Sequence, residues 1–205
     1  LHNLDSAVEH LRSADSRLAA VIQRIGACQI GHESDAWRAL SSSIIGQQVS
    51  VFAARAIRRR FAALGKNDYP GPSEVLALSE ETLRGAGLSR NKVLSVRDLA
   101  RHFEEKLIDE ASFPHMEDEA IIEALIPVRG IGRWTAEMFL IFSLSRPDVL
   151  AVDDQGLRNA MQKLYDLPER PTPAEMRGIA EPWRPWRSVA SWYLWRSLDN
   201  EPKVA

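Results

Sequence analysis

Residues 125–145 read LIPVRGIGRWTAEMFLIFSLS, with a proline and two glycines set directly ahead of an apolar run. The run is so uniformly apolar that it predicts a buried central helix, and Pro127, Gly130 and Gly132 mark the turn into its start. At a helix start the first amides have no intrahelical acceptor and the dipole adds partial positive charge, so such a place binds anions. Gly130 and Gly132 are expected to supply unusual dihedrals and to remove Cβ atoms that would hold a phosphate oxygen away from those amides. A G-x-G alone is a weak motif, also met in ordinary helix corners packed through glycine.

Outward from this loop, 3.6-residue periodicity recurs and strand signals are nearly absent, which predicts an all-α fold. Val8 and Leu11 begin one stripe. Asp15 then caps a second helix with Leu18, Val21, Ile22 and Ile25 on one face and Gly26 closing it. Trp37, Leu40, Ile44 and Ile45 begin another helix, which Gly46 interrupts; Val49, Phe52, Ala53, Ala56, Phe61 and Leu64 are expected to continue one buried face until Gly65. Ser73 is expected to cap the next start, and Val93, Val96, Leu99, Ala100 and Phe103 form a further stripe. Thr172 and Glu175 make a capping box, with Pro173 in the first helical position.

The bounds are those of a globular chain of 205 residues, 45% hydrophobic, with net charge −2. That charge argues against broad polyanion binding but not against a local grip on a few phosphates. No run of 18 apolar residues and no signal-peptide pattern is present, so an intracellular protein with no membrane partner is expected. Cys28 is alone, which excludes a disulfide framework or a cysteine metal cluster and predicts a core thiol. His2, His10, His32, His102 and His115 show no ligand spacing. The chain begins at Leu1 rather than Met, and the sequence leaves open whether residues precede it.

The longer string LIPVRGIGRWTA resembles the helix-hairpin-helix of base-excision DNA glycosylases, L-x-x-[LFV]-x-G-[IV]-G-x-x-T-A, and AVDDQGLRNAM supplies the Asp that this superfamily carries about 20 residues downstream. SSSIIGQQVSVFAARAI, LSRNKVLSVRDLA and WRPWRSVASWYLW resemble segments of its alkylpurine branch, the AlkA-like 3-methyladenine DNA glycosylase II family; together the likeness covers roughly residues 15 to 200. The resemblance implies two helical lobes. Residues 35–150 would carry the wedge and hairpin, residues 1–34 with 151–205 would form a second lobe from both termini, and the active site would lie in the cleft between. The β-rich N-terminal domain of larger members is expected to be absent, since only about 30 residues precede the lobe that begins near residue 35.

The resemblance also implies roles. Asp154, first in DQGLR, takes the position of the catalytic Asp; its carboxylate would stabilise positive charge that builds on the sugar as an N-glycosidic bond breaks. Asp153 is one residue out of register and reads as structural. Two residues after Gly132, lyase-competent members carry a nucleophilic Lys, whereas this chain has Trp134, which implies a monofunctional glycosylase. Trp134, Met138 and Trp195 fall on base-pocket positions, Met138 standing where the family has Tyr; an indole face attracts cationic alkylated purines. Trp37, Trp183, Trp186 and Trp192 read as core.

Gln48 takes the position of the wedge that fills the gap left by a flipped base. Gly130, Gly132, Arg133 and Thr135 would meet a DNA phosphate, and the carbonyls of Ile126, Val128 and Gly130 would hold a structural Na+ or K+, with no other cofactor required. Arg55, Arg58, Arg59 and Arg60 read as a solvated basic face. The implied partner is double-stranded DNA with a damaged base, bound by a monomer. The lesion range stays open among 3-methyladenine, 7-methylguanine, ethenoadenine and hypoxanthine. The rival readings are a non-catalytic hairpin module and a glycosylase for oxidised or mismatched bases, whose frequent Lys or four-Cys cluster is missing.

Overall fold

The computed structural model describes residues 3–31 and 33–199, and among them every regular element is helical. The expectations placed on Leu1, His2 and His32 fall outside the described residues. In chain order the helices are α1 (Leu4–Ala14), α2 (Ser16–Ile25), α3 (Ala36–Gly46), α4 (Val51–Ala62), α5 (Pro72–Ala77), α6 (Glu80–Gly85) and α7 (Arg90–Glu104). They continue with α8 (Asp118–Leu125), α9 (Arg133–Phe142), α10 (Gln155–Leu164), α11 (Pro173–Ala180) and α12 (Arg187–Asp199). Two short 3₁₀ turns, Glu110–His115 and Glu181–Trp183, join them.

The chain divides into two compact units, Leu1–His32 with Leu140–Ala205, and Glu33–Phe139. The division falls inside α9. Phe139 stacks edge-on against Phe113 in one unit, whereas Phe142 lies against Trp195 in the other.

In the unit that holds both termini, Leu11, Leu18, Ile22, Leu157, Met161, Met176, Trp183 and Tyr193 fill the core. Asp15 organises one side of it. Its Oδ1 caps α2 by accepting from the Arg17 and Leu18 amides, both at 3.0 Å, while Oδ2 accepts from the Tyr165 hydroxyl and, at 3.0 Å, from Trp183 Nε1. Burial pushes this carboxyl upward, but the hydrogen bonds outweigh it and hold the group below its ordinary value of 3.8. Trp183 and Trp192 are buried as expected, and Trp186 packs half-buried against the same core. Cys28 is only half-buried, at the core margin rather than inside it, and burial pushes its thiol up.

In the other unit α7 is the central element, packed against α3 and α5 through Val93, Val96, Leu99 and Ala100. Trp37 crosses Phe103 edge-on and donates its indole N–H to the Pro70 carbonyl at 2.7 Å. Two sequence expectations need correction here. Helix α5 is capped two residues ahead of Ser73: Gly71 is the cap, Pro72 opens the helix and Glu74 reaches back to the Gly71 amide at 2.9 Å. On α4 the buried face is Ala54, Ile57 and Phe61, so Phe52, Ala53 and Ala56 do not form it and Phe52 stands out in solvent. Phe61 is buried as expected, but ahead of it the buried face is turned by one residue; Ala53 and Ala54 are equally apolar, so composition cannot choose between them.

Asp15→Ala is expected to cost roughly 2–3 kcal/mol, because it removes a helix cap and takes the acceptor from buried Trp183 and half-buried Tyr165. With its folded value lowered, Asp15 contributes stability that is fully present above about pH 3.8 and lost as pH falls below it. Thermal melts from pH 6 to pH 2.5 check this: the variant's melting temperature should be lower at pH 6 and should fall less steeply in acid.

Candidate functional site

The turn between α8 and α9 is built from the inside outward. Val128 and Ile131 are buried and bracket it, with the Val128 amide on the Leu125 carbonyl at 3.1 Å and the Ile131 amide on the Val128 carbonyl at 3.0 Å. The Arg129 amide donates to Asp98 Oδ2 at 2.8 Å, which ties the turn to α7. Gly130 has φ 82°, and a Cβ there would lie 2.8 Å from Ser95 Oγ, so both conformation and space demand glycine. Gly132 differs from the expectation for it. Its φ is not in the left-handed region and a Cβ would meet nothing within 4 Å, so no contact inside the protein calls for glycine there. Its carbonyl accepts from the Ala136 amide at 3.0 Å, making it the cap of α9.

The connection between α3 and α4 is fixed to the same turn. The last carbonyls of α3 are taken by cations from neighbouring elements: Arg58 Nε donates to Ser42 O at 3.0 Å and Lys92 Nζ to Ile45 O at 2.7 Å. Partial burial, with Arg58 nearby, lowers the Lys92 value. Gln47 then turns inward and donates Nε2 to the Gly130 carbonyl at 2.8 Å. Gln48 follows with φ 54° and an exposed side chain. Sequence reasoning missed Gln47, because adjacent glutamines look alike until the backbone separates inside from outside.

Four more expected site residues sit on α9. Trp134, in its first turn, is 41% exposed, and Met138, one turn on, is half-buried. Arg133 is paired with Glu119, with a second contact at 3.1 Å, and lies 3.8 Å from Glu137. Its guanidinium is therefore already matched by carboxylates. Thr135 is buried, its hydroxyl 3.5 Å from Gln47 Nε2, so any contact it makes with a phosphate runs through the backbone.

In the other unit, Asp154 caps α10. Its Oδ1 accepts from the Leu157 amide at 2.5 Å and from Trp195 Nε1 at 2.8 Å. Asp154 is half-buried, whereas Asp153 beside it is exposed. Trp195 lies with its ring 5.8 Å from that of Phe142. A Cβ on Gly156 would come within 3.2 Å of Asp154 Oδ1 and 3.4 Å of Trp195 Cδ1, so this glycine keeps the space in which indole and carboxylate meet. The D-x-G pattern contained Gly156, but only the packing of α12 gives it a purpose. Among the described residues no group of three or more His, Cys, Asp or Glu could hold a metal ion, and no helix is long and apolar enough to cross a membrane.

Comparison with known proteins bears on this arrangement. The family described as HhH-GPD superfamily base excision DNA repair protein matches residues 41–185. Over 202 residues the chain is 33% identical to DNA-3-methyladenine glycosylase 1 of Schizosaccharomyces pombe, covering 95% of this chain and 88% of that protein. It superposes with a TM-score of 0.85 on a 3-methyladenine DNA glycosylase from that organism in complex with abasic DNA, over 95% of this chain and 97% of that one. A DNA-3-methyladenine glycosidase from Bacillus halodurans, 34% identical, matches with a TM-score of 0.86 over 97% and 91% of the two chains.

The two hairpin glycines should respond differently to a methyl group. Gly130→Ala is expected to lower stability by about 2–3 kcal/mol, from left-handed strain and the clash with Ser95, whereas Gly132→Ala should cost less than about 1 kcal/mol. Denaturant unfolding of both variants checks this, and equal losses would contradict the separate roles.

Proposed function

Since the chain belongs to the HhH-GPD superfamily of base excision DNA repair proteins, we propose that it is a monofunctional alkylpurine DNA glycosylase in which Asp154 is the catalytic carboxylate. The observation that carries the residue assignment is the pair of N–H donors on Asp154 Oδ1, from Leu157 and Trp195, which hold the carboxylate in one orientation at the start of α10. In the reaction the bond between C1′ and the purine nitrogen breaks with its electron pair going to the base. An N3- or N7-alkylated purine is cationic and leaves neutral. Positive charge passes to the sugar, where the carboxylate stabilises it until water adds to C1′ and gives up a proton. Trp195 and Gly156 act through Asp154 and are positioning residues.

The remaining assignments follow from the same reading. Trp134 offers an exposed indole to a flipped cationic base, worth roughly 0.5–2 kcal/mol, and Met138 provides adaptable apolar surface beside it. Trp134 has no amine with which to form a Schiff base, so the product is an abasic site and the strand stays whole. Gln48, exposed on a left-handed backbone, fills the gap in the duplex. The start of α9, with Gly132 as its cap, takes a phosphate on backbone amides; Gly130 serves by shaping the turn, and Arg133 and Thr135 serve there through main chain rather than side chain. The carbonyls of Ile126, Val128 and Gly130 form a neutral oxygen set suited to a monovalent cation. Those of Val128 and Gly130 already accept one hydrogen bond and keep one lone pair each. The protein acts as a monomer on damaged double-stranded DNA inside the cell.

Release of free base from duplex oligonucleotides, each carrying one lesion, tests the reading. Asp154→Asn should slow excision by roughly 100-fold or more while affinity for a duplex with an abasic-site analogue is kept. Gly156→Ala should lower the single-turnover rate about tenfold with little change in affinity, because it crowds the Asp154–Trp195 contact rather than the DNA surface. Trp195→Phe removes the donor to the carboxylate and should likewise lower the single-turnover rate with little change in affinity. A wild-type rate in Asp154→Asn, or a covalent adduct trapped by borohydride, would reject the mechanism.

A further inference from the structure

Two adjacent apolar side chains at the start of α4 have no place in the reading so far. Val51 is 82% and Phe52 88% exposed, the most exposed large hydrophobic residues among the described ones. They are held in place. Ser50 caps the helix by accepting from the Ala53 amide at 3.3 Å, so Phe52 stands in a formed first turn. The opposite face of α4 is anchored by buried Ala54, Ile57 and Phe61. Isolated exposed hydrophobic residues need no explanation, but an adjacent pair presented on a fixed turn does.

The surroundings select the partner. From residue 36 to residue 67 the chain has no Asp or Glu but has six cations, Arg38, Arg55, Arg58, Arg59, Arg60 and Lys66, in a protein whose net charge is −2. Arg58 and Arg60 turn inward to carbonyls of Ser42 and Ala86. Arg55 and Arg59 are exposed, three and seven residues after Phe52 and so on its face of the helix. Gln48, also exposed, lies four residues before Phe52 in the same connection. A second copy of this surface would bring arginines against arginines, and protein interface cores are depleted of charge. Apolar wedge, cations of one sign and a polar plug together fit a nucleic-acid duplex whose base step can be opened.

We propose that Val51 and Phe52 form an apolar probe set against duplex DNA beside the gap that Gln48 fills, with Phe52 unstacking the neighbouring base step and Arg55 and Arg59 holding the flanking phosphates. This rests on the glycosylase reading above and adds a residue that decides how the duplex is opened.

The test uses the full chain and a duplex carrying a tetrahydrofuran abasic-site analogue with 2-aminopurine next to it. Phe52→Ala should keep the wild-type melting temperature, because the side chain is exposed, yet bind about tenfold more weakly and give less 2-aminopurine fluorescence. Phe52→Trp should restore both. Arg55→Ala and Arg59→Ala should each reduce the slope of log affinity against log salt by about one. Wild-type binding and fluorescence in Phe52→Ala would overturn the proposal, as would a wild-type dimer that Phe52→Ala converts to monomer in sedimentation. The two readings fail separately. A wild-type protein that releases no alkylated base refutes the glycosylase assignment, while its Phe52-dependent opening of the duplex would still stand.

Discussion

Gly130 sits at φ 82° with Ser95 Oγ where its side chain would be, and much of the surrounding geometry follows from that crowding. A residue with a Cβ would have to push α7 away or leave the left-handed region, and either shift moves the start of α9. Because the turn is this tight, the Gly130 carbonyl faces the α3–α4 connection closely enough to accept from Gln47 Nε2 at 2.8 Å. With Gln47 pinned inward, the next residue takes φ 54° and its side chain goes outward. One steric constraint thus fixes the direction of both the helix start and the exposed glutamine.

The same logic, with a different reason for the missing side chain, governs Asp154. Here glycine is needed for proximity rather than for φ: Gly156 clears the space through which Trp195 on α12 reaches the carboxylate at the start of α10. A cap would form with Leu157 alone. The second donor restricts the carboxylate further, and in the catalytic role proposed for Asp154 that loss of freedom before reaction would be a gain. Gly132 shows a third situation, with neither strain nor crowding inside the protein.

Much of this was legible in the sequence where the signal is local. The Asp15 cap, the Thr172–Glu175 box with Pro173, and the buried Trp183 and Trp192 depend on residues within one turn or on a strong apolar period. The family was legible through spaced motifs, which also single out Asp154. What escaped depends on contacts distant in sequence: Gln47 with Gly130 is 83 residues apart, and Asp154 with Trp195 is 41. The identity of the inward glutamine in a Gln47–Gln48 pair is decided by the carbonyl it meets. The face of α4 escaped for another reason, since a helix rich in Ala shifts phase at almost no hydrophobic cost and only the fit of Ile57 and Phe61 decides it.

Net charge misleads for a protein of this type because its acids and bases are not mixed evenly. All 28 acidic residues lie outside residues 36–67, so the segment that carries Gln48 and Phe52 is locally cationic while the whole is slightly acidic. Such a surface attracts a polyanion through few ion pairs, and each neutralised phosphate contributes a salt-dependent increment of affinity. If this segment opens a base step as proposed, the energy would come mainly from contacts that salt does not screen. Hydrogen bonds from backbone amides at a helix start and apolar surface driven against bases have that property, and both read damage through the ease of deforming the duplex rather than through sequence. A repair protein benefits from this division, because strong general electrostatic binding would hold it on the vast excess of intact DNA.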